Sequence, residues 1–181
     1  PNDFNSLLNR GACNYEIGRY KKAINDFNEA EKIKIDTDLF FNRGLCYSKL
    51  RHYKSAISDF NLAINLGYRK GDIFFQKGIA KSRKKDYKNA ISDFKKAIYS
   101  KNLENKELGC TYLEKGWAHI RIGEFKKGLQ ESDKGEIIFK AKGNEYFLHL
   151  INKAYTYIKL SKMRSALSVL YNYSKYDLKL E

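Results

Sequence analysis

The chain has 181 residues, 43% of them apolar and 31% charged, which is enough apolar material to bury a sizeable core. It contains no apolar run long enough for a membrane-spanning helix. The net charge of +14 favours anionic partners. However, the excess of lysine over arginine is also what an AT-rich coding sequence produces, so the charge alone does not indicate nucleic-acid binding.

Four residues recur in a fixed order in three successive segments: a glycine, a tyrosine, an alanine and a phenylalanine. The three sets are Gly11, Tyr20, Ala23, Phe27; Gly44, Tyr53, Ala56, Phe60; and Gly78, Tyr87, Ala90, Phe94. Successive sets lie 33 and then 34 residues apart. A period of this length predicts stacked helical hairpins, with the small residues where two helices cross.

Two fainter copies follow, anchored on Gly116 and Ala154, each after a step of 38 residues. Within the copies, apolar residues are spaced three and four apart, as an amphipathic helix requires. No segment shows the alternation of a strand. The sequence therefore predicts ten helices in one continuous solenoid.

This pattern resembles the tetratricopeptide repeat, whose signature has small residues at its eighth and twentieth positions and aromatic residues nearby. The resemblance covers residues 4 to 177. It implies an all-α, right-handed solenoid of about five helical hairpins in a single domain spanning residues 1–181. The repeats it predicts cover residues 4–37, 38–70, 71–104, 109–142 and 147–177.

Two departures from the family lead to further expectations. The repeat-ending proline is missing, so we expect Gly67 and Gly71 to end helices through positive φ, and Asp38 and Asp72 to cap the helices that follow. The seventh repeat position is basic instead of apolar, and we expect its side chains to pack through their stems while their charges reach solvent. These residues are Arg10, Arg43, Lys77, Lys115 and Lys153.

The chain lacks the motifs of common catalytic sites, including a glycine-rich phosphate loop, a nucleophile elbow and a helical HExxH motif. Asp26, Asp59 and Asp93 recur at one repeat position. A residue copied in this way is expected to have a structural role, since an active site would be unique. The cysteines and histidines do not have metal-ligand spacing. We therefore expect no enzymatic activity, no cofactor and no metal site.

In the tetratricopeptide family the first helix of each repeat lines a concave groove, and the resemblance implies the same here. The sixth repeat position reads Asn9, Asn42, Gln76, Glu114 and Asn152. A carboxamide both donates and accepts hydrogen bonds, so a row of them can hold the backbone of an extended peptide.

The fifth and ninth positions add an apolar wall to this groove. Together the predicted peptide-binding residues are Asn9, Asn42, Gln76, Asn152, Phe41, Leu45, Phe75, Ile79, Leu113, Trp117 and Tyr155. Apolar groups exposed to this extent are typical of a binding surface. The alternatives are that neighbouring repeats bury some of them, or that another copy or a terminal segment fills the groove.

The family's clamp for acidic chaperone tails is not predicted. Its five positions hold Leu8, Ala12, Asn42, Asp72 and Gln76, of which Asn42 alone matches. Asp72 would repel a carboxylate.

The sequence therefore predicts a non-catalytic protein-protein interaction module that binds a peptide or helix of a partner and scaffolds a larger assembly. The alternatives are a basic solenoid that binds nucleic acid, with its strongest patch at Lys81–Lys88, or the regulatory arm of a larger enzyme. We expect a cytoplasmic location, although a removed signal peptide would change it. The apolar C-terminal helix, with Leu170 and Tyr171, suggests self-association at that end.

Overall fold

The computed structural model describes residues 3–139, 145–160, 162, 165–166 and 168–169. These residues form α-helices and no strand, which confirms the predicted all-α class. The helices are α1 (Phe4–Glu16), α2 (Tyr20–Ile33), α3 (Thr37–Lys49), α4 (Tyr53–Asn65), α5 (Gly71–Arg83), α6 (Tyr87–Tyr99), α7 (Asn105–Arg121), α8 (Phe125–Phe139) and α9 (Glu145–Lys159). Among the described helices, none has the length and apolar character needed to cross a membrane.

The chain divides into two compact units, Pro1–Asp86 and Tyr87–Glu181. In unit 1, α1 and α2 form one hairpin and α3 and α4 the next, with α2 also packed on α3 and α4 on α5. Helices α1, α3 and α5 therefore form one layer, and α2 and α4 form the other. In unit 2, α6 packs on α7, the α7–α8 hairpin has the most extensive contact, and α9 packs against both α7 and α8.

The tenth predicted helix falls mostly outside the described residues. Residues 165–166 and 168–169 are helical. The C-terminal surface on which the self-association prediction depends, including Leu170 and Tyr171, is not among the described residues. That prediction and the five repeat boundaries stay predictions.

Close helix crossings explain the repeated glycine and phenylalanine of unit 1. A Cβ added at Gly11 or Gly44 would lie 2.6 Å from the ring of Phe27 or Phe60, respectively. Both rings are fully buried. A methyl group cannot be placed there without moving the ring, so each hairpin requires glycine at this point.

The fourth repeat reaches a close crossing by another route. There Ser132 replaces the buried phenylalanine, and a Cβ on Gly116 would lie 2.5 Å from its Oγ and 2.8 Å from the carbonyl oxygen of Gly128. A Cβ on Gly135 would lie 2.8 Å from Leu113. Helices α7 and α8 thus approach each other closely enough for backbone atoms to be in contact. Glycine and serine therefore replace the alanine and phenylalanine of the repeat pattern, which makes the fourth copy hard to recognise in the sequence.

In each described turn between the two helices of a repeat, the residue at the same repeat position has a left-handed backbone conformation, with positive φ. Gly18, Arg51, Lys85 and Gly123 have φ of 78°, 62°, 65° and 83°. Each follows the first helix of its repeat. An L-residue in this conformation costs roughly 1–2 kcal/mol, whereas glycine adopts it freely. Repeats two and three therefore carry a strained cation where repeats one and four have glycine.

The predicted helix ends are partly wrong. Gly67 follows α4 with φ of 107°, as expected, but Gly71 is the first residue of α5. Asp36, and not Asp38, caps α3, because its carboxylate accepts the backbone N–H of Asp38 at 2.9 Å. Asp72 lies inside the first turn of α5, where its carboxylate accepts the N–H of Ile73 at 2.7 Å. Both aspartates lie two residues from the true cap, at Asp36 or Lys70, since an aspartate at either position can reach free N–H groups.

The basic seventh position forms an internal row of ion pairs, so the expectation that its charges reach solvent is wrong for Arg43 and Lys115. Arg43 is 7% exposed, and its Nε and Nη2 donate to the two oxygens of Asp59 at 2.8 and 3.0 Å. Its Nη1 donates to Glu31 of the preceding hairpin. Lys115 donates to Glu131 at 2.9 Å. The partner lies sixteen residues after the cation in both repeats.

The basic position is also paired in the first and fifth repeats, with the sixteen-residue spacing in the first and with preceding carboxylates in the fifth. Arg10 donates to Asp26 at 2.6 Å while its side chain stays 57% exposed. Lys153 pairs with Asp133 and Glu136, both at 2.7 Å, on the preceding helix α8. The recurring carboxylates Asp26 and Asp59 therefore serve as partners of the basic position, which is the structural role that their repetition predicted.

Burial and pairing act in opposite directions on these groups. Burial by itself lowers the pKa of Arg43, but the hydrogen bonds and charges of Asp59 and Glu31 outweigh it and raise that pKa. Burial raises the pKa of Asp59, and Arg43 offsets part of this effect. Arg43 therefore stays cationic, and it is shared by two carboxylates that repel each other.

Replacing Ala56 by Leu is expected to lower the free energy of unfolding by roughly 1–3 kcal/mol, because Ala56 is fully buried at the α3–α4 crossing and added methyl groups overpack it. Urea unfolding measures the effect. Ser58, exposed on the same helix, provides the control, and Ser58→Leu should change the midpoint little. An unchanged midpoint for Ala56→Leu would contradict this crossing.

The Glu131 pair predicts a dependence of stability on pH. Burial alone would raise the pKa of Glu131, but hydrogen bonds and charges from Lys115 and Lys134 lower it below 4.5. A depressed folded-state pKa stabilises the fold above the unfolded value, and this stability is lost as the pH falls through the folded-state pKa. At neutral pH, Glu131→Gln should therefore cost about 1–3 kcal/mol.

Urea unfolding of the wild type and Glu131→Gln across a pH series measures this difference, which should narrow below pH 4.5. The matched control is Glu29→Gln, since Glu29 forms an exposed pair with Lys32. Exposed pairs contribute about 1 kcal/mol or less. A difference for Glu131→Gln that stays constant into acid would show that the ion pair is not its source.

Candidate functional site

The layer of α1, α3 and α5 in unit 1 carries the first three predicted carboxamides, one on each helix. We call the predicted groove residues of this layer the inner surface: Asn9, Asn42, Gln76, Phe41, Leu45, Phe75 and Ile79. Asn9 is exposed, and Asn42 and Gln76 are half-buried. The structure thus brings them onto neighbouring helices, as the repeat register requires.

The carboxamides of the inner surface are not used by the fold. Within the described part of the chain, the side chains of Asn9, Asn42 and Gln76 form no hydrogen bond with another protein group. By contrast, Arg43, next to Asn42 in sequence, uses three of its nitrogens. Each carboxamide therefore keeps its donors and its acceptor for water or a ligand.

The apolar residues of the inner surface are only partly available. Phe41 and Leu45 pack against the hydrophobic core of unit 1 while remaining half-buried. The ring of Phe41 stacks on Tyr68 with centroids 4.9 Å apart and lies 6.0 Å from Phe60. Phe75 and Ile79 are half-buried on α5. Phe41 and Leu45 thus contribute to the packing of unit 1, and each of the four apolar side chains keeps part of its surface exposed to solvent.

Tyr68 is a residue of this surface that the sequence analysis missed. Its hydroxyl donates to Asp72 at 3.0 Å, and the Lys70 ammonium lies 5.9 Å from its ring centroid. It is 9% exposed, so it packs against the buried side of Phe41 and offers little surface of its own. The available signal was an aromatic residue at the place where the family has its proline.

In unit 2 the predicted residues fall into two groups. Leu113 is 3% exposed and packs against Gly135, so little of its side chain faces solvent, and its predicted contact with a ligand stays a prediction. The small glycine lets α8 approach closely and bury it. Trp117 and Asn152 are half-buried, and Tyr155 is 46% exposed.

Cations lie over several of the described aromatic residues of unit 2. The guanidinium carbon of Arg121 lies 5.3 Å from the ring centroids of both Trp117 and Tyr87. The ammonium of Lys159 lies 5.6 Å from the ring of Tyr155. Contacts at these distances hold a cation over an aromatic face. Among the described residues, no group of three His, Cys, Asp or Glu side chains could hold a metal ion.

The tetratricopeptide repeat family model matches residues 37–66 and 71–102, which correspond to the second and third repeats. No curated protein sequence matches the chain. Residues 41 to the end of MamA from Desulfovibrio magneticus RS-1 have a similar fold, with a TM-score of 0.86 and 14% identity over 97% of this chain and 96% of that one.

Two further solved structures share the fold. One is YrrB, described as a TPR protein with an unusual peptide-binding site, with a TM-score of 0.77 and 18% identity over 93% of this chain and 84% of that one. The other is the APC/C hetero-tetramer Cut9–Hcn1, with a TM-score of 0.77 and 16% identity over 94% of this chain and 33% of that one. The chain therefore contains two tetratricopeptide repeats, at residues 37–66 and 71–102, and its hairpin fold is similar to that of these solved structures.

Proposed function

We propose that this chain is a non-catalytic protein-interaction module that binds an extended peptide segment of a partner on the inner surface of unit 1. Helical repeats of this class present extended surfaces for binding. The observation that carries the proposal is the row of carboxamides on α1, α3 and α5 with no side-chain hydrogen bond to the described protein.

The chemistry of this row suits a peptide backbone. A backbone presents N–H and C=O groups at regular intervals, and a carboxamide can pair with both. Asn42 and Gln76 are half-buried, and a bound peptide would exclude the water that still reaches them. Any carboxamide group left without a hydrogen bond would then lower the affinity. Phe75 and Ile79 beside them offer apolar edges for the peptide's side chains.

The kind of peptide is constrained by charge. Asp72 lies on α5, where it accepts hydrogen bonds from Tyr68 and Ile73 and keeps a negative charge near the end of the inner surface. A carboxylate would be repelled there, so an acidic chaperone tail is not the proposed ligand. YrrB, which has a similar fold, has an unusual peptide-binding site, and this supports a peptide ligand for this fold.

The ion pairs support a non-catalytic role for the repeated carboxylates. Asp26 and Asp59 each accept from a basic residue of the same hairpin, so neither is poised as an acid or a base. Scaffolding of a larger assembly would follow from peptide capture. Nucleic-acid binding through the basic repeats, a role as the arm of a larger enzyme, and cytoplasmic location stay predictions.

Replacing Asn42 by Ala is expected to weaken peptide binding at least tenfold, because it strands backbone groups of the bound peptide at a cost of about 1–3 kcal/mol. A displayed library of random peptides, selected on the purified chain, supplies the ligand, and fluorescence polarisation measures its Kd. The fold should be unchanged, since the Asn42 carboxamide has no partner in the described protein.

The matched control is Asn65→Ala, the same substitution at an exposed residue at the end of α4. It should leave the Kd unchanged. Equal weakening by both variants, or selected peptides that bind as well to Asn42→Ala as to the wild type, would show that the inner surface is not the peptide site.

A further inference from the structure

An open cavity of about 390 Å³ lies in unit 1 at the turn between α3 and α4. We call it the turn pocket, and its lining residues are Arg51, His52, Tyr53, Lys54, Ser55 and Lys84. Five of them are consecutive, and Lys84 comes from the end of α5. None belongs to the inner surface, so the turn pocket is a separate site.

The turn pocket concentrates positive charge that the fold does not neutralise. Arg51, Lys54 and Lys84 are all exposed, and none forms an ion pair within the described part of the chain. Elsewhere in unit 1, Arg10, Lys32 and Lys34 pair with carboxylates, whereas Lys21 and Lys22 on α2 are exposed and form no ion pair in the described part of the chain. What distinguishes Arg51, Lys54 and Lys84 is that all three line one cavity. Three like charges around one cavity repel one another, and an anion placed among them would remove that repulsion.

The backbone of the turn provides a second, independent observation. Arg51 has φ of 62°, in the left-handed region, and Lys85, beside Lys84, has φ of 65°. The equivalent turns of repeats one and four use Gly18 and Gly123, which take this conformation without strain. Arg51, which lines the pocket, therefore holds a strained conformation that glycine would relieve, as does Lys85; a third cation with positive φ, Lys101 after α6, does not line the pocket. Strain of this kind concentrates at functional sites.

We propose that the turn pocket binds a compact anion that carries two or more phosphoryl groups. The Arg51 guanidinium can donate two parallel hydrogen bonds to one phosphoryl group, and Lys54 and Lys84 supply point charges for another. The hydroxyl groups of Ser55 and Tyr53 add uncharged donors.

Several cations around a single cavity fit a multiply charged ligand better than a nucleic acid. A nucleic-acid strand spreads its phosphates along a line and needs a basic track, with aromatic faces for its bases when it is single-stranded. Tyr53, the aromatic residue of this pocket, is half-buried as part of the α4 packing surface. The phosphoryl groups could belong to a soluble molecule or to a lipid headgroup.

Isothermal titration of the 181-residue chain with inositol hexakisphosphate and with inorganic pyrophosphate tests the proposal. The triple variant Arg51→Gln, Lys54→Gln, Lys84→Gln should weaken binding at least tenfold. The matched control is Lys21→Gln, Lys95→Gln, Lys106→Gln, which removes the same charge from exposed positions outside the pocket. It should weaken binding less than about threefold, by diffuse electrostatics alone.

A single substitution separates binding from folding. Arg51→Gly relieves the positive φ, so it should raise the midpoint of thermal unfolding while weakening inositol hexakisphosphate binding. A merely structural role for Arg51 would change stability without changing affinity. Asn42→Ala should leave the binding of inositol hexakisphosphate intact, and the pocket triple variant should leave peptide binding intact. Failure of this proposal is thus distinguishable from failure of the peptide proposal.

Sedimentation with phosphatidylcholine vesicles, with and without phosphatidylinositol bisphosphate, identifies the source of the anion. Sedimentation that depends on the bisphosphate and is lost in the pocket triple variant assigns the site to a lipid headgroup. Binding of the soluble anions without sedimentation assigns it to a free ligand. The proposal is overturned if neither anion binds the wild type, if both triple variants weaken binding equally, or if poly(U) RNA binds more tightly than either anion.

Discussion

The close approach of paired helices is the constraint on which the rest of this structure depends. At Gly44 there is no room for a Cβ, because the ring of Phe60 occupies that space. The absence of that one carbon sets the distance and angle at which α3 and α4 cross. Repetition of the same contact at Gly11 and Phe27 gives the first hairpin the same geometry. A sequence that repeats the contact therefore repeats the hairpin.

The crossing also determines which polar groups can meet. Once the two helices are held together, a residue one position before the glycine comes within reach of a residue sixteen positions later. This is the spacing of Arg43 with Asp59 and of Lys115 with Glu131. Burying a charge is expensive, and removing one partner of a buried pair such as Arg43 and Asp59 typically costs about 3–5 kcal/mol, more than at the half-buried Glu131. The bond from Arg43 to Glu31 adds a link between hairpins, so we infer that this pairing fixes how the second hairpin stacks on the first.

The repeat period, the helices and the position of the helix crossings could be predicted from the sequence, because apolar spacing and small residues are local signals. The sequence did not reveal the ion pairs, since a basic residue read alone gives no sign of a partner sixteen positions away. The burial of Leu113 could not be predicted for a related reason. Its burial depends on Gly135 in the next helix, and the register of one helix cannot show how closely another approaches. Tyr68 was missed because it lies outside both helices of its repeat.

Neighbouring residues show how the fold separates structural from functional polar groups. Arg43 bonds to both its own and the preceding hairpin, while Asn42 has no side-chain partner in the described protein. In a repeat protein each residue has counterparts in the other copies, so a difference between counterparts is informative. Glycine at Gly18 and Gly123 shows the conformation that the turn needs, and Arg51 departs from it at a cost in backbone strain. The fold alone does not account for this departure, which is why the proposed anion site assigns Arg51 a binding role.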